Sequence, residues 1–124
     1  MLKMCKLSEI KHGAVFMMEI PRNSDVKHMQ SGVRPVLAIS NNMNLRTSPC
    51  IHIVPLTTSG TKHPLPTHVS VKADFLRERS ICLAEQLMQV SKQKLIETGR
   101  YLGSLSDEDL TNVKKAIKIQ LALA

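Results

Sequence analysis

Apolar stretches rich in β-branched residues fall at residues 14–18, 35–40, 50–56, 68–72 and 81–90, separated by turn-forming residues. This pattern predicts five β-strands. The alternation is plainest in His68-Val69-Ser70-Val71-Lys72, where both valines would face inward from a half-buried strand. Pro35 opens its strand and Pro55 lies near the end of another, positions that tolerate a residue unable to donate to the ladder. All 6 prolines lie between Pro21 and Pro66, so the chain divides into a turn-rich part and a more regular part. Two helices are predicted to close the chain. Ser91 caps a short one that stops at Gly99, and Ser106 caps a longer one that begins Asp107-Glu108-Asp109 and carries Lys114, Lys115 and Lys118 further on. That charge order matches the helix dipole. Leu110, Val113, Ala116 or Ile117, and Leu121 recur at helical spacing, giving a face to pack on the sheet or on a second subunit. The expected class is mainly β with α, strands first and helices last.

A length of 124 residues supports one domain with a modest core, and residues 1–8 read as a flexible leader. With 43% hydrophobic and 22% charged residues the chain is globular rather than a disordered polymer. Phe16, Phe75 and Tyr101 are the aromatic residues, too few for a sheet that reads bases by stacking several rings. Cys5, Cys50 and Cys82 are odd in number and far apart, which fits neither a disulfide framework nor a CxxC metal site. No apolar run is long enough for a signal or membrane segment, so the expected setting is the cytoplasm, without a membrane partner.

Charge narrows the choice of partner. The excess of 17 Lys+Arg over 10 Asp+Glu leaves +7, and no acidic residue lies between Asp25 and Asp74. That interval holds Lys27, Arg34, Arg46, Lys62 and Lys72. An uncompensated positive stretch lowers the energy of a polyanion lying across it, although a solvated basic surface has the same composition. Lys27 and Lys62 are the charges expected to meet phosphates.

Ser31-Gly32-Val33-Arg34-Pro35-Val36-Leu37-Ala38-Ile39-Ser40-Asn41 is a polar turn, an arginine and then a buried strand ending in an amide. Three further blocks follow: Ser48-Pro49 with a strand to Pro55-Leu56-Thr57, then Leu65-Pro66-Thr67-His68-Val69, then Glu85-Gln86-Leu87. In order and spacing these resemble the MazF/PemK toxins, the endoribonuclease halves of toxin–antitoxin pairs, from about residue 10 to 123. The resemblance implies a compact SH3-like or CcdB-like β-barrel spanning residues 1–124 as a single toxin domain, with a short helix and a C-terminal helix. It also implies a homodimer, single-stranded RNA as substrate, a cognate antitoxin as partner, and cleavage without metal or cofactor.

Carried over by position, the resemblance makes Arg34 and Thr57 the catalytic pair. If the RNA's own 2′-hydroxyl attacks the adjacent phosphorus, the enzyme must hold charge on a crowded phosphate and assist proton movement. A guanidinium offers a planar fork of donors to nonbridging oxygens, and a threonine hydroxyl adds another. By residue type alone, Arg34 also fits a surface ion pair and Thr57 a turn before Thr58-Ser59-Gly60. Gln30, Asn41 and Gln86 align with polar positions along the RNA path, where amides read base edges or else cap loops and strand ends. His68 reads as structural, His52 as partly buried and satisfied, and His12, His28 and His63 as exposed. Met17, Met18 and Met88 read as core or groove filler.

The sequence departs from the family's pattern at Ala14, at His28-Met29 where Ser-Glu is frequent, at Met88 where arginine is often found, and in a loop over residues 42–47. These changes touch the groove and put its base preference in question. Two other activities are compatible with such a chain: a CcdB-like module that binds gyrase, and an RNA-binding regulator that does not cut.

Overall fold

The computed structural model describes residues 6–27, 29–58 and 64–123. Its strands are β1 (Ala14–Ile20), β2 (Gly32–Ala38), β3 (Cys50–Thr57), β4 (His68–Val71), β5 (Ser80–Leu83), β6 (Met88–Ser91) and β7 (Arg100–Ser104). Helix α1 (Asn42–Thr47) follows β2, α2 (Lys92–Thr98) follows β6, and α3 (Asp107–Gln120) follows β7. The strands form one antiparallel sheet in the order β4-β5-β3-β2-β1-β7, with β6 added beside β3. The path leaves β4 and β7 as edges, so the expected barrel is open rather than closed.

The sheet is buried on both faces, which explains why its central strands read as nearly continuous apolar runs. Phe16, Met18, Ile20, Val36, Ala38, Ile51 and Ile53 cluster on one face, under Leu45 from α1 and Leu95 from α2. Val15, Leu37, Val54 and Leu56 belong to a second cluster, completed by Val71, Cys82, Leu105 and Val113 from α3. Successive residues of one strand thus serve two cores. Phe16 and Tyr101 bridge β1 to β7 with ring centroids 5.8 Å apart, a tilted pair.

Several sequence expectations change. The run over residues 81–90 keeps one direction along β3 but is split: β5 pairs Leu56 and Thr57, β6 pairs Cys50 to Ile53, and a 3-10 turn, Ala84–Gln86, stands between them. The break falls alongside Val54 and Pro55, where β3 has a residue that cannot donate. Residues 42–47 form α1 rather than a loop, because Asn41 accepts from the Asn44 amide at 2.9 Å and Lys92 Nζ donates to the last-turn carbonyls of Leu45 and Arg46. A five-residue run at β7 was too short and too interrupted by Gly103 to signal a strand. Leu7–Glu9 forms a 3-10 turn, and residues 1–5 of the expected leader lie outside the described residues.

The closing helices match expectation at their starts. Ser91 accepts from the Lys94 amide and Ser106 from the Asp109 amide, each at 3.2 Å. On α3, Val113 and Ala116 are buried, but Leu121 is 51% exposed because the helix ends at Gln120. Among the described residues no helix is long and apolar enough to cross a membrane.

Candidate active site at the tips of β2 and β3

The ladder between β2 and β3 pairs Val36 with Pro55, Leu37 with Val54 and Ala38 with Ile53. Continued toward the tip in the same register, it sets Arg34 opposite Thr57, and opposed residues point to the same side of a sheet. Both line a cleft of about 250 Å³ with Val33, Pro35, Leu56, Thr58 and Ser80, none of them acidic. Thr58 and Ser80 were not anticipated; each merely follows a strand tip or opens a strand, a position that only the fold reveals.

Arg34 is half-buried and is held by its own neighbours. Its Nε donates to the Ser31 carbonyl at 2.8 Å, and Nη1 donates to the Gln30 side-chain oxygen. These bonds engage Nε and Nη1, on different edges of the guanidinium, and leave Nη2 and the second Nη1 hydrogen as donors for an anion. Gly32, at φ 81°, makes the turn by which the chain enters β2. Arg34 therefore makes no ion pair among the described residues, against the alternative reading of its sequence position.

The expected RNA-contacting residues separate into groups. Gln30 and Gln86 come together near Arg34, since the Gln30 amide donates to Gln86 Oε1 at 2.7 Å. Gln86 and Lys27 line a neighbouring pocket of about 360 Å³ with Val26, Met29, Glu85, Leu87 and Met88. Two of the sequence's departures, Met29 and Met88, thus meet in a single pocket. Asn41 lies beyond the far end of β2, at least ~13 Å from Arg34 by strand rise, and caps α1. Lys62, His28 and His63 fall outside the described residues.

The other histidines stand apart from the cleft. His68 Nε2 meets Glu85 Oε2 at 2.6 Å, and its Nδ1 accepts from the Leu65 amide at 3.2 Å, a structural role as expected. His52 is exposed rather than partly buried, as is Gln89, its partner on β6. His12 is half-buried rather than exposed, because its Nδ1 reaches the Ser40 carbonyl at 3.1 Å. Among the described residues, no three His, Cys, Asp or Glu side chains gather as a metal site would require.

The fold is thus a small antiparallel sheet with both faces covered, presenting an arginine and a threonine at its strand tips. MazF from Deinococcus radiodurans superposes with a TM-score of 0.75 at 17% identity, covering 91% of this chain and 96% of that one. An endoribonuclease in complex with its cognate antitoxin, from Mycobacterial species, superposes with a TM-score of 0.71 at 23% identity, covering 92% and 96%. In sequence, endoribonuclease EndoA of Bacillus subtilis (strain 168) is 36% identical over 117 residues, 92% of this chain and 96% of the relative. The profile of the PemK-like, MazF-like toxins of type II toxin–antitoxin systems matches residues 11–121. The chain belongs to that family.

Proposed function

We propose that this protein is a toxin endoribonuclease that cuts single-stranded RNA at the cleft between Arg34 and Thr57. The observation that carries the reading is the placement of Arg34, half-buried, acid-free in its cleft, and oriented by Ser31 and Gln30 across from Thr57. A scissile phosphate seated there receives the guanidinium on its nonbridging oxygens and the Thr57 hydroxyl as a second donor. The 2′-oxygen forms a bond to phosphorus as it loses its proton, and the 5′-oxygen leaves and takes one up. The products are a 2′,3′-cyclic phosphate and a 5′-hydroxyl. Its 36% identity to EndoA supports the activity, and the antitoxin-bound structural neighbour supports restraint by a cognate antitoxin. Action as a homodimer in the cytoplasm completes the proposal.

The test is incubation of purified protein with a long synthetic RNA in excess EDTA, followed by mapping of cut sites and end groups. Cyclic phosphate ends, absent with Arg34→Ala, are the expected result. Products with a 5′-phosphate would overturn the mechanism. Intact RNA that shifts in a gel would favour the noncutting regulator, and inhibition of gyrase without RNA cleavage would favour the CcdB-like module.

A further inference from the structure

Gln86 and Arg34 are far apart in sequence and come from different layers of the fold, yet a continuous path of hydrogen bonds joins them. The Gln86 side-chain oxygen accepts from the Gln30 amide at 2.7 Å, the Gln30 side-chain oxygen accepts from Arg34 Nη1, and the Ser31 carbonyl accepts from Arg34 Nε at 2.8 Å. We propose that Gln86 is a positioning residue for RNA cleavage: it pins the end of the β1–β2 loop at Gln30, and the pinned loop aims the Arg34 guanidinium into the cleft. The inference rests on the reading of Arg34 as the group that meets the scissile phosphate.

The two ends of this path differ in firmness. Gln86 closes the 3-10 turn Ala84–Gln86, whose first amide donates to the Thr67 carbonyl at 3.1 Å. The preceding Glu85 is tied to His68 at 2.6 Å and to the Thr67 hydroxyl at 3.2 Å. Its base is therefore anchored to the β4 side of the sheet. The Arg34 end has little packing of its own. Val33 is 67% exposed, and a Cβ placed on Gly32 would meet nothing within 4 Å. The backbone here is laddered to β1, with Arg34 opposite Met18, but a long side chain with such open flanks takes its direction from its hydrogen bonds, and catalysis is sensitive to placement errors on the ångström scale.

A residue that acts through another has a signature distinct from one that touches RNA. The path uses the Gln86 oxygen as an acceptor, a role that glutamate fills at nearly the same size and alanine cannot. We expect Gln86→Ala to lower kcat by about 10- to 100-fold, the range that misplacement of a reacting group produces. Affinity for an RNA carrying a 2′-deoxy sugar at the cut site, which binds without reacting, should stay within about twofold of wild type, a change of less than about half a kcal/mol. Gln86→Glu should restore most of the rate. Adding Gln86→Ala to Arg34→Ala should cost nothing more, since residues that act as one unit do not add.

These measurements use the full-length protein, with circular dichroism confirming that each variant is folded. Weakened binding of the deoxy RNA with kcat retained would overturn the proposal and make Gln86 a direct reader of RNA. Equal losses for Gln86→Ala and Gln86→Glu, or a further loss in the Arg34→Ala background, would overturn it as well. Should the wild type cut no RNA at all, the functional reading fails while the path remains testable by NMR. Slow exchange of the Arg34 Nε–H in the wild type and fast exchange in Gln86→Ala supports the path; equal rates in both would overturn it.

Discussion

His68 and Glu85 are joined through Nε2 and Oε2 at 2.6 Å, and the other ring nitrogen of His68 accepts from the Leu65 amide at 3.2 Å. An imidazole whose Nδ1 is an acceptor carries its proton on Nε2, so Nε2 is the donor to Glu85. Nε2 is thereby spent on tying β4 to the 3-10 turn that follows β5, and Nδ1 on the turn that leads into β4. A histidine so committed does not serve as a general base.

His68→Asn should consequently lower stability and spare the chemistry. Loss of a half-buried charge-assisted bond costs about 1–3 kcal/mol, read as a lower urea midpoint. Cleavage per folded molecule should fall by less than about tenfold, against the ~100-fold that removal of a direct donor to charge in the transition state commonly costs. A loss as deep as that of Arg34→Ala would return His68 to the catalytic group.

Arg34→Ala should lose about 100-fold or more in kcat with an unchanged circular dichroism spectrum, and Thr57→Ala somewhat less. Arg34→Lys should rescue little, since an ammonium cannot reproduce a planar fork held through Nε by Ser31 and through Nη1 by Gln30 with Nη2 still left to donate. Single-turnover cleavage of a short RNA checks all three.

The Cys82 thiol is pushed up to about 12 from 9.0 by burial, with the Asp109 carboxylate adding to the shift. The folded form keeps its proton where the unfolded chain loses it. The resulting stabilisation is complete below pH 9.0 and declines as pH rises toward 12. Urea midpoints should therefore fall over that interval, and Cys82→Ser should flatten the fall. In native protein at pH 8.0, iodoacetamide should modify the partly exposed Cys50 and spare Cys82 until urea is added. Peptide mass spectrometry distinguishes the two sites.

Lys27 borders the pocket beside Gln86, and Lys62 belongs to the same acid-free interval of sequence. Reversing both to glutamate should weaken RNA and antitoxin alike, if the two share the basic surface. For single-stranded RNA, each phosphate contact removed should lessen the slope of log K against log salt by about 0.7. Unchanged slopes and affinities in a folded double variant would place the RNA path elsewhere.

The legible parts of this fold were those decided locally. Ser91 and Ser106 announce their helices through a hydroxyl in reach of the third amide along, and the paired valines of β4 announce a strand through alternation. The illegible parts depend on partners remote in sequence. Residues 81–90 are locally one strand, and only β3 with Pro55 shows where it must break. Helix α1 depends on Lys92 from another element, and its residues lack a repeating apolar face. At the site, the resemblance supplied Arg34 and Thr57, and the β2–β3 register brings them to one cleft. Asn41 was carried over by the same logic, yet its side chain caps α1 at the other end of β2. Base-edge chemistry and capping call for the same amide, and sequence position does not separate them.

The sheet's two buried faces have a further consequence. Because alternate residues of β2 are committed to opposite cores, Val36, Leu37 and Ala38 form a mount gripped from both faces. The described residues of the loop that precedes β2, 21–27 and 29–31, are exposed up to Lys27 and contribute none of the buried core. Base preference is therefore expected to follow the part of the loop before Gln30, and cutting to follow the mount together with Gln30 and Ser31. Exchanging the loop, with Gln30 and Ser31 retained, amounts to changing the bit of a tool while its handle stays untouched.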